Sequence, residues 1–189
     1  MERSVGVIAD THGLLRPEAV AALARVDLIV HAGDIGSRAL LDELGAIAPV
    51  LAVRGNNDRE PWAAVLPETA TTEIAGVRLY VIHDLARLPG SPASLGADVV
   101  ISGHSHKPGV ARRDGLLWLN PGSAGPRRFS LPIAVARLSL GPGGARAEIV
   151  ELDIPAGSAL PRRRGGLDAA KARGAVSPPG RGSMPGRVR

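Results

Sequence analysis

His104 and His106 stand one residue apart in the run Gly103-His104-Ser105-His106, directly after the apolar stretch Val99-Val100-Ile101. Two imidazoles at that spacing point into one cavity only if they sit on the loop that leaves a strand, and imidazole is the commonest side-chain metal ligand near neutral pH. The chain's other metal-type residues form an ordered series: Asp10-x-His12, Gly33-Asp34, Gly55-Asn56-Asn57-Asp58 and His83. Four of the five histidines belong to it, and the chemistry they could do together is that of a metal centre. Taken singly, each residue has an ordinary use. Asp10 can be a turn residue, Asp34 a carboxylate capping a helix near Ser37, Asn56 and Asn57 turn formers, and His83 a buried histidine with its bonds satisfied. As an ordered set they favour the metal site.

The elements that must position these residues are short strands. Val5 to Ala9 is an apolar run ended by Asp10, and Asp27 to Ala32 runs into Gly33-Asp34. Pro17 and Glu18 open an Ala-rich helix to about Ala24 between them. Ser37 is placed to cap a second helix that carries Leu40, Leu41 and Leu44 and stops at Gly45. Pro49 to Val53 then leads to Gly55-Asn56. Strand, helix, strand, helix, strand implies parallel pairing by right-handed crossovers, as in a doubly wound layer. From Thr69 the pattern changes to hairpins. Thr71 to Ala75 pairs with Val77 to Ile82 around Ala75-Gly76, Val110 to Arg113 with Leu116 to Asn120 around Asp114-Gly115, and Ile133 to Leu140 with Ala145 to Asp153. The run Asp98 to Ser102 delivers the two-histidine loop. Asp10, Asp34, Asn56, His83 and His104 therefore each fall at or just past the carboxyl end of an expected strand, where open α/β sheets place their ligands.

The order DxH, GD, GN(H or C)D, lone His, GHxH resembles the calcineurin-like metallophosphoesterase superfamily over residues 5 to about 150. The compact spacing and the Asn120-Pro121-Gly122-Ser123 loop resemble its small single-domain prokaryotic phosphodiesterase branch, which is similar to the vacuolar sorting subunit of the retromer. The resemblance implies an α/β fold in which two β-sheets pack face to face as a sandwich with helices outside, an αββα arrangement. It implies a first metal held by Asp10, His12 and His106, a second held by Asn56, His83 and His104, and Asp34 bridging both. It further implies hydrolysis of a phosphodiester by a hydroxide between two divalent ions, with Asp34, Asn56, Asp58 and His104 in the catalytic set. Imidazole, carboxylate and amide donors without sulfur suit Mn, Fe, Zn, Ni or Co, and the resemblance favours Mn.

Two positions depart from the pattern. Asn57 stands where relatives carry His or Cys, and an amide cannot protonate a leaving alkoxide; Asp58 thereby loses the histidine it orients in relatives. Asp84 follows His83 where relatives usually have Gly, which reaches backbone conformations that Asp adopts less readily. His31, inside the second strand, reads as a packed histidine. Arg54 and Arg127 could help bind a phosphate, with an exposed surface arginine the default reading for Arg127 and Arg128, and Asn120 is expected to shape the loop near the metals rather than bind them.

Composition bounds the rest. The chain has 189 residues, enough for one domain with a sizeable core. Trp62, Trp118, Tyr80 and Phe129 are its aromatics, too few for a base-stacking platform. It contains no cysteine, its first ten residues lack the apolar core of a signal peptide, and no stretch approaches a spanning length, so a cytoplasmic protein without a membrane segment is expected. The formal charge of +5 is concentrated in residues 155–189, which carry +7 and leave −2 for residues 1–154. That segment has seven Gly, five Pro and only four Leu, Ile, Val or Phe, a composition that cannot offset its ordering entropy, and it is expected to be a disordered tail. Its run Arg162-Arg163-Arg164 could meet nucleic acid, although a solvated tail is the preferred reading. Two functions compete with the diesterase: a scaffold with a vestigial site, and a nucleic-acid-associated phosphoesterase recruited by the tail.

Overall fold

The computed structural model describes residues 1–154; the expected tail, 155–189, lies outside the described residues. Ten strands form two five-stranded sheets. In the first, β1 (Arg3–Ile8), β2 (Leu28–His31) and β3 (Val50–Ala52) are parallel neighbours, and β9 (Ala134–Gly141) and β10 (Gly144–Glu151) add antiparallel on the far side of β1. In the second, β5 (Val77–Ile82), β6 (Val99–Ile101) and β8 (Leu116–Asn120) are parallel, flanked by β4 (Thr69–Ile74) and β7 (Gly109–Arg113).

The alternation of burial explains the sandwich. Val5, Val7 and Val30 point from the first sheet into one apolar cluster with Leu79, Val81, Ile101 and Leu119 of the second. Their neighbours Ile8 and Ile29 point the other way, onto Leu23 beside helix α1 (Pro17–Ala22) and onto Leu40 and Leu44 of α2 (Arg38–Gly45). Period-two side chains thus serve two cores at once. Ser37 caps α2 as expected, accepting from Leu40 N at 3.3 Å, a bond of about 1 kcal/mol.

The two-sheet α/β sandwich flanked by helices is the architecture expected, with one correction. The first sheet is not doubly wound: its strands run β1-β2-β3 in order, so crossovers of one hand lay both helices on one face, and the second sheet takes the other. The connection between β5 and β6 holds Pro89, Gly90, Pro92 and Gly96 and forms only 3-10 turns at Leu85–Arg87 and Pro92–Leu95, because proline and glycine deny it a continuous helix. Leu88, Leu95 and Ala97 from this connection cover Tyr80, Ile82 and Val100. Among the described residues no helix is long and apolar enough to cross a membrane.

Candidate metal centre

All six parallel strands end on one edge of the sandwich, and the loops that follow carry the candidate ligands: Asp10 and His12 after β1, Asp34 after β2, Asn56 after β3, His83 after β5, His104 and His106 after β6. Backbone bonds continue beyond the strands and keep these loops in register. Asp10 N donates to Gly33 O at 3.0 Å, His12 N to Asp34 O at 2.9 Å and Gly103 N to His83 O at 3.0 Å.

The turns are sharp. Of nine non-glycine residues with positive φ among the described residues, five are candidate ligands: Asp10 (53°), His12 (48°), Asp34 (55°), His104 (65°) and His106 (58°). Left-handed backbone on such residues costs free energy and persists where surrounding structure enforces it, commonly at functional sites. The motif glycines make room for the ligands. A Cβ on Gly33 would lie 2.6 Å from His83 Nδ1, one on Gly103 2.9 Å from Asp10 Oδ2, and one on Gly55 would overlap Asp34.

Two clusters result, each with ligand atoms within 4.8 Å of one another: Asp10, His12 and His106, and Asp10, Asp34 and His83. Asp34 lies between them, Oδ2 at 3.9 Å from His12 Nε2 and Oδ1 at 3.5 Å from His83 Nε2. Asn56 Oδ1 sits 3.1 Å from His83 Nε2 and 3.0 Å from His104 Nδ1. Asp10, Asp34, His83 and His106 are buried, whereas Asn56 and His104 are exposed, so the centre opens to solvent on their side.

The donor chemistry fits cations. Asp10 Oδ1, His12 Nε2 and His106 Nδ1 are buried without a hydrogen-bond partner among the described residues, and such orphaned atoms are costly unless something binds them. In the second cluster His83 Nδ1 donates to Ala32 O at 2.7 Å, so the Nε2 of a neutral ring carries a lone pair. That lone pair faces the oxygens of Asn56 and Asp34, an arrangement that repels itself until a proton or a metal ion lies between. Accordingly, although burial works to lower it, the His83 pKa is raised by its bond to Asp34, its bond to Ala32 and the nearby negative charge. Burial alone would raise Asp34, but bonds from His83 and the Asn57 amide hold its carboxyl well below the usual range. His12 is lowered by burial, against the attraction of Asp34 and Asp10, which keeps its ring neutral and its lone pair available.

The remaining candidates act on the loops. Both oxygens of buried Asp58 accept backbone amides, Oδ1 from Ile35 and Gly36 at 2.9 Å and Oδ2 from Gly55 at 2.9 Å. Its carboxylate thus ties the Asp34 loop to the Asn56 loop and belongs to neither ligand cluster. Asn57 clamps Asp34, its backbone N on Oδ1 at 2.8 Å and its side-chain Nδ2 on Oδ2 at 2.6 Å. Asn120 Nδ2 donates to Gly103 O at 2.7 Å, and its Oδ1 accepts from Gly122 N at 2.9 Å. Ser123 Oγ braces Asp10 by donating to its carbonyl at 2.9 Å, a contact with no signal in the sequence beyond the NPGS loop. Asp84 occupies ordinary extended backbone (φ −115°), so the glycine usual there is not required; its Oδ1 accepts from Ala86 N at 2.9 Å and its Oδ2 lies 3.9 Å from His104 Nε2. Arg127 turns away to Leu131 O at 3.2 Å, whereas Arg54 lines a cleft with Asn56 and His83.

His31 is fully buried behind the site, with Nε2 2.9 Å from Thr11 Oγ1, which itself donates to Ile35 O. Burial lowers its pKa to about 3. The unfolded chain therefore binds a proton below pH 6.5 that the folded chain refuses until near pH 3, and stability falls as pH drops through that window by up to about 1.4 kcal/mol per unit. Urea unfolding of chelator-treated protein at pH 7 and pH 5 checks this. A His31→Asn variant is expected to lose less stability across the interval, and equal losses would remove the histidine as the cause.

The chain matches the calcineurin-like phosphoesterase superfamily domain across residues 4–142. It is 38% identical over 172 residues to a probable metallophosphoesterase of Methanothermobacter thermautotrophicus, covering 85% of this chain and 99% of that protein. It is 28% identical over 137 residues to a phosphodiesterase of Methanocaldococcus jannaschii, covering 62% and 82%. Among solved structures, Vacuolar Protein Sorting 29 of Cryptosporidium parvum superposes with a TM-score of 0.64 at 22% identity, covering 80% of this chain and 98% of that one, a likeness of fold. With the ordered ligand series, the sandwich and a relative matched along its whole length, the chain belongs to the calcineurin-like phosphoesterase superfamily.

Proposed function

We propose that this protein is a phosphodiesterase dependent on two divalent metal ions, Mn favoured, with its catalytic unit in residues 1–154. The observation that carries the reading is the Asp34 carboxylate, buried and anionic, with one oxygen toward His12 and the other toward His83. Asp10, His12 and His106 would hold one ion, Asn56, His83 and His104 the other, and Asp34 would join them. When bound, such a pair supplies a nucleophilic water at neutral pH and offsets charge on the phosphoryl oxygens. A relative bearing the name phosphodiesterase, and a structure of Vps29 from Entamoeba histolytica complexed with zinc, support the substrate class and the capacity of the fold for metal.

The chain's own residues then set the preference for diesters. Asn57 spends its amide on Asp34 and has no proton to give a departing alkoxide. General-acid assistance is worth about 10²- to 10⁴-fold, so diesters whose leaving group needs no proton are favoured. Hydrolysis of bis-p-nitrophenyl phosphate and p-nitrophenyl phosphate with Mn, Ni, Co, Zn and Mg tests this. The diester is expected to react faster with at least one metal; a monoester rate equal to or above it would overturn the preference. No turnover by folded protein with any metal would select the scaffold instead.

A further inference from the structure

Beside the second cluster, Asn56 and His83 share a cavity of about 70 Å³ with two arginines, Arg54 and Arg87. By volume it has room for several waters, or for a tetrahedral anion in their place. It adjoins a wider cavity of about 440 Å³ that again includes Arg54, Asn56 and Arg87 and adds Arg59. Resting on the diesterase reading above, we propose that the cleft between Arg54 and Arg87 is a subsite for a second phosphate of the substrate, making the preferred diester one that carries another phosphate near the scissile one.

Each arginine is placed by a contact that leaves donors to spare. Arg54 Nη2 meets Glu68 Oε1 at 2.7 Å, and its backbone N donates to Pro67 O at 2.8 Å, which fixes the side chain at the cleft while one nitrogen serves the pair. Glu68 is 65% exposed on its side chain, so solvent screens the pair and an entering anion competes with it at little cost. Arg87 ends the 3-10 turn that Asp84 starts by capping Ala86 N, and its guanidinium has no ion-pair partner among the described residues. A guanidinium offers five N–H donors in a planar fork that matches phosphate. The candidate ligands Asn56 and His83 line the same cavity, so a group bound between the arginines would belong to the molecule whose reacting phosphate lies at the cluster. Arg87 has no motif around it; the turn after His83 carries it, and only the fold brings Arg54 to the same cavity.

Calorimetric titration of the Mn-loaded full chain with thymidine 3′,5′-bisphosphate and with thymidine 5′-monophosphate tests the subsite independently of turnover. The bisphosphate is expected to bind at least about tenfold more tightly, a gain in keeping with charge-assisted bonds. Arg87→Ala and Arg54→Ala should each reduce that ratio toward one, while Arg146→Ala, which removes an exposed charge on β10, leaves it intact. Equal affinity for the two nucleotides, or a ratio that survives Arg87→Ala, overturns the proposal. So does a variant that weakens both ligands equally, since the arginine would then hold the reacting phosphate. The p-nitrophenyl 5′-esters of the same two nucleotides are assayed in parallel. A binding preference without cleavage of either ester supports the subsite and overturns the diesterase reading.

Discussion

Asp34→Asn is expected to reduce metal-dependent hydrolysis of bis-p-nitrophenyl phosphate by at least about a thousandfold while leaving the protein folded. Stabilisation of transition-state charge by metal is worth several kcal/mol, and each 1.36 kcal/mol is tenfold in rate. The carboxylate lies between the two clusters, with oxygens 3.9 Å from His12 and 3.5 Å from His83. An amide keeps the shape but offers one oxygen and no charge, and its NH₂ would point at a histidine lone pair or at the Asn57 amide group. Two readouts separate the causes. Metal stoichiometry by calorimetry should drop below two per chain, and far-ultraviolet circular dichroism should be unchanged. A variant that binds two ions and retains its rate would show that Asp34 does not join the sites.

Gly55→Ala should damage the same centre through sterics alone. A Cβ on Gly55 would overlap both the side chain and the backbone nitrogen of Asp34, and neither can retreat. Asp34 is held by two bonds from Asn57, and its loop is tied to Gly55 through Asp58. Overpacking of a tight interior costs about 1–3 kcal/mol. For a domain of this size that lowers Tm by roughly 2–4 °C per kcal/mol. Thermal unfolding with and without Mn measures the stability term, and the rise in Tm on adding Mn should shrink in the variant because the ligands are displaced. A full metal-induced rise in Gly55→Ala would show that the β3 loop yields without disturbing Asp34. Gly45→Ala is the matched control, since a Cβ there meets nothing within 4 Å.

The contrast between these glycines shows where local reading stops. The motif order made Gly55 conspicuous, but the reason for it, a ligand from a different strand lying where a Cβ would go, is a contact across 21 residues of sequence. Asp58 makes the same point. Its place in the motif put it in the implied catalytic set without the histidine it orients in relatives, and in the fold its oxygens accept from the amides of Ile35, Gly36 and Gly55. Hairpins were easier. Ala75-Gly76 and Asp114-Gly115 carry positive φ at both central residues, the geometry two-residue turns require, and the flanking strands pair around them.

What the sequence by itself determined was the inventory of candidate ligands and their station at strand ends, because a buried strand writes its period and its end into neighbouring residues. Helix starts, tight turns and the packed character of His31 were legible for the same short-range reason. Only the tertiary structure decided which strands lie side by side, that the ends of both sheets share one edge, and that both helices crowd one face. It also decided that Asn57 grips Asp34 and that Arg87 joins Arg54 in the cleft of His83. Such pairings depend on chain segments distant in sequence finding one another in a single packed sandwich, and no residue's own neighbours record the partner it will meet.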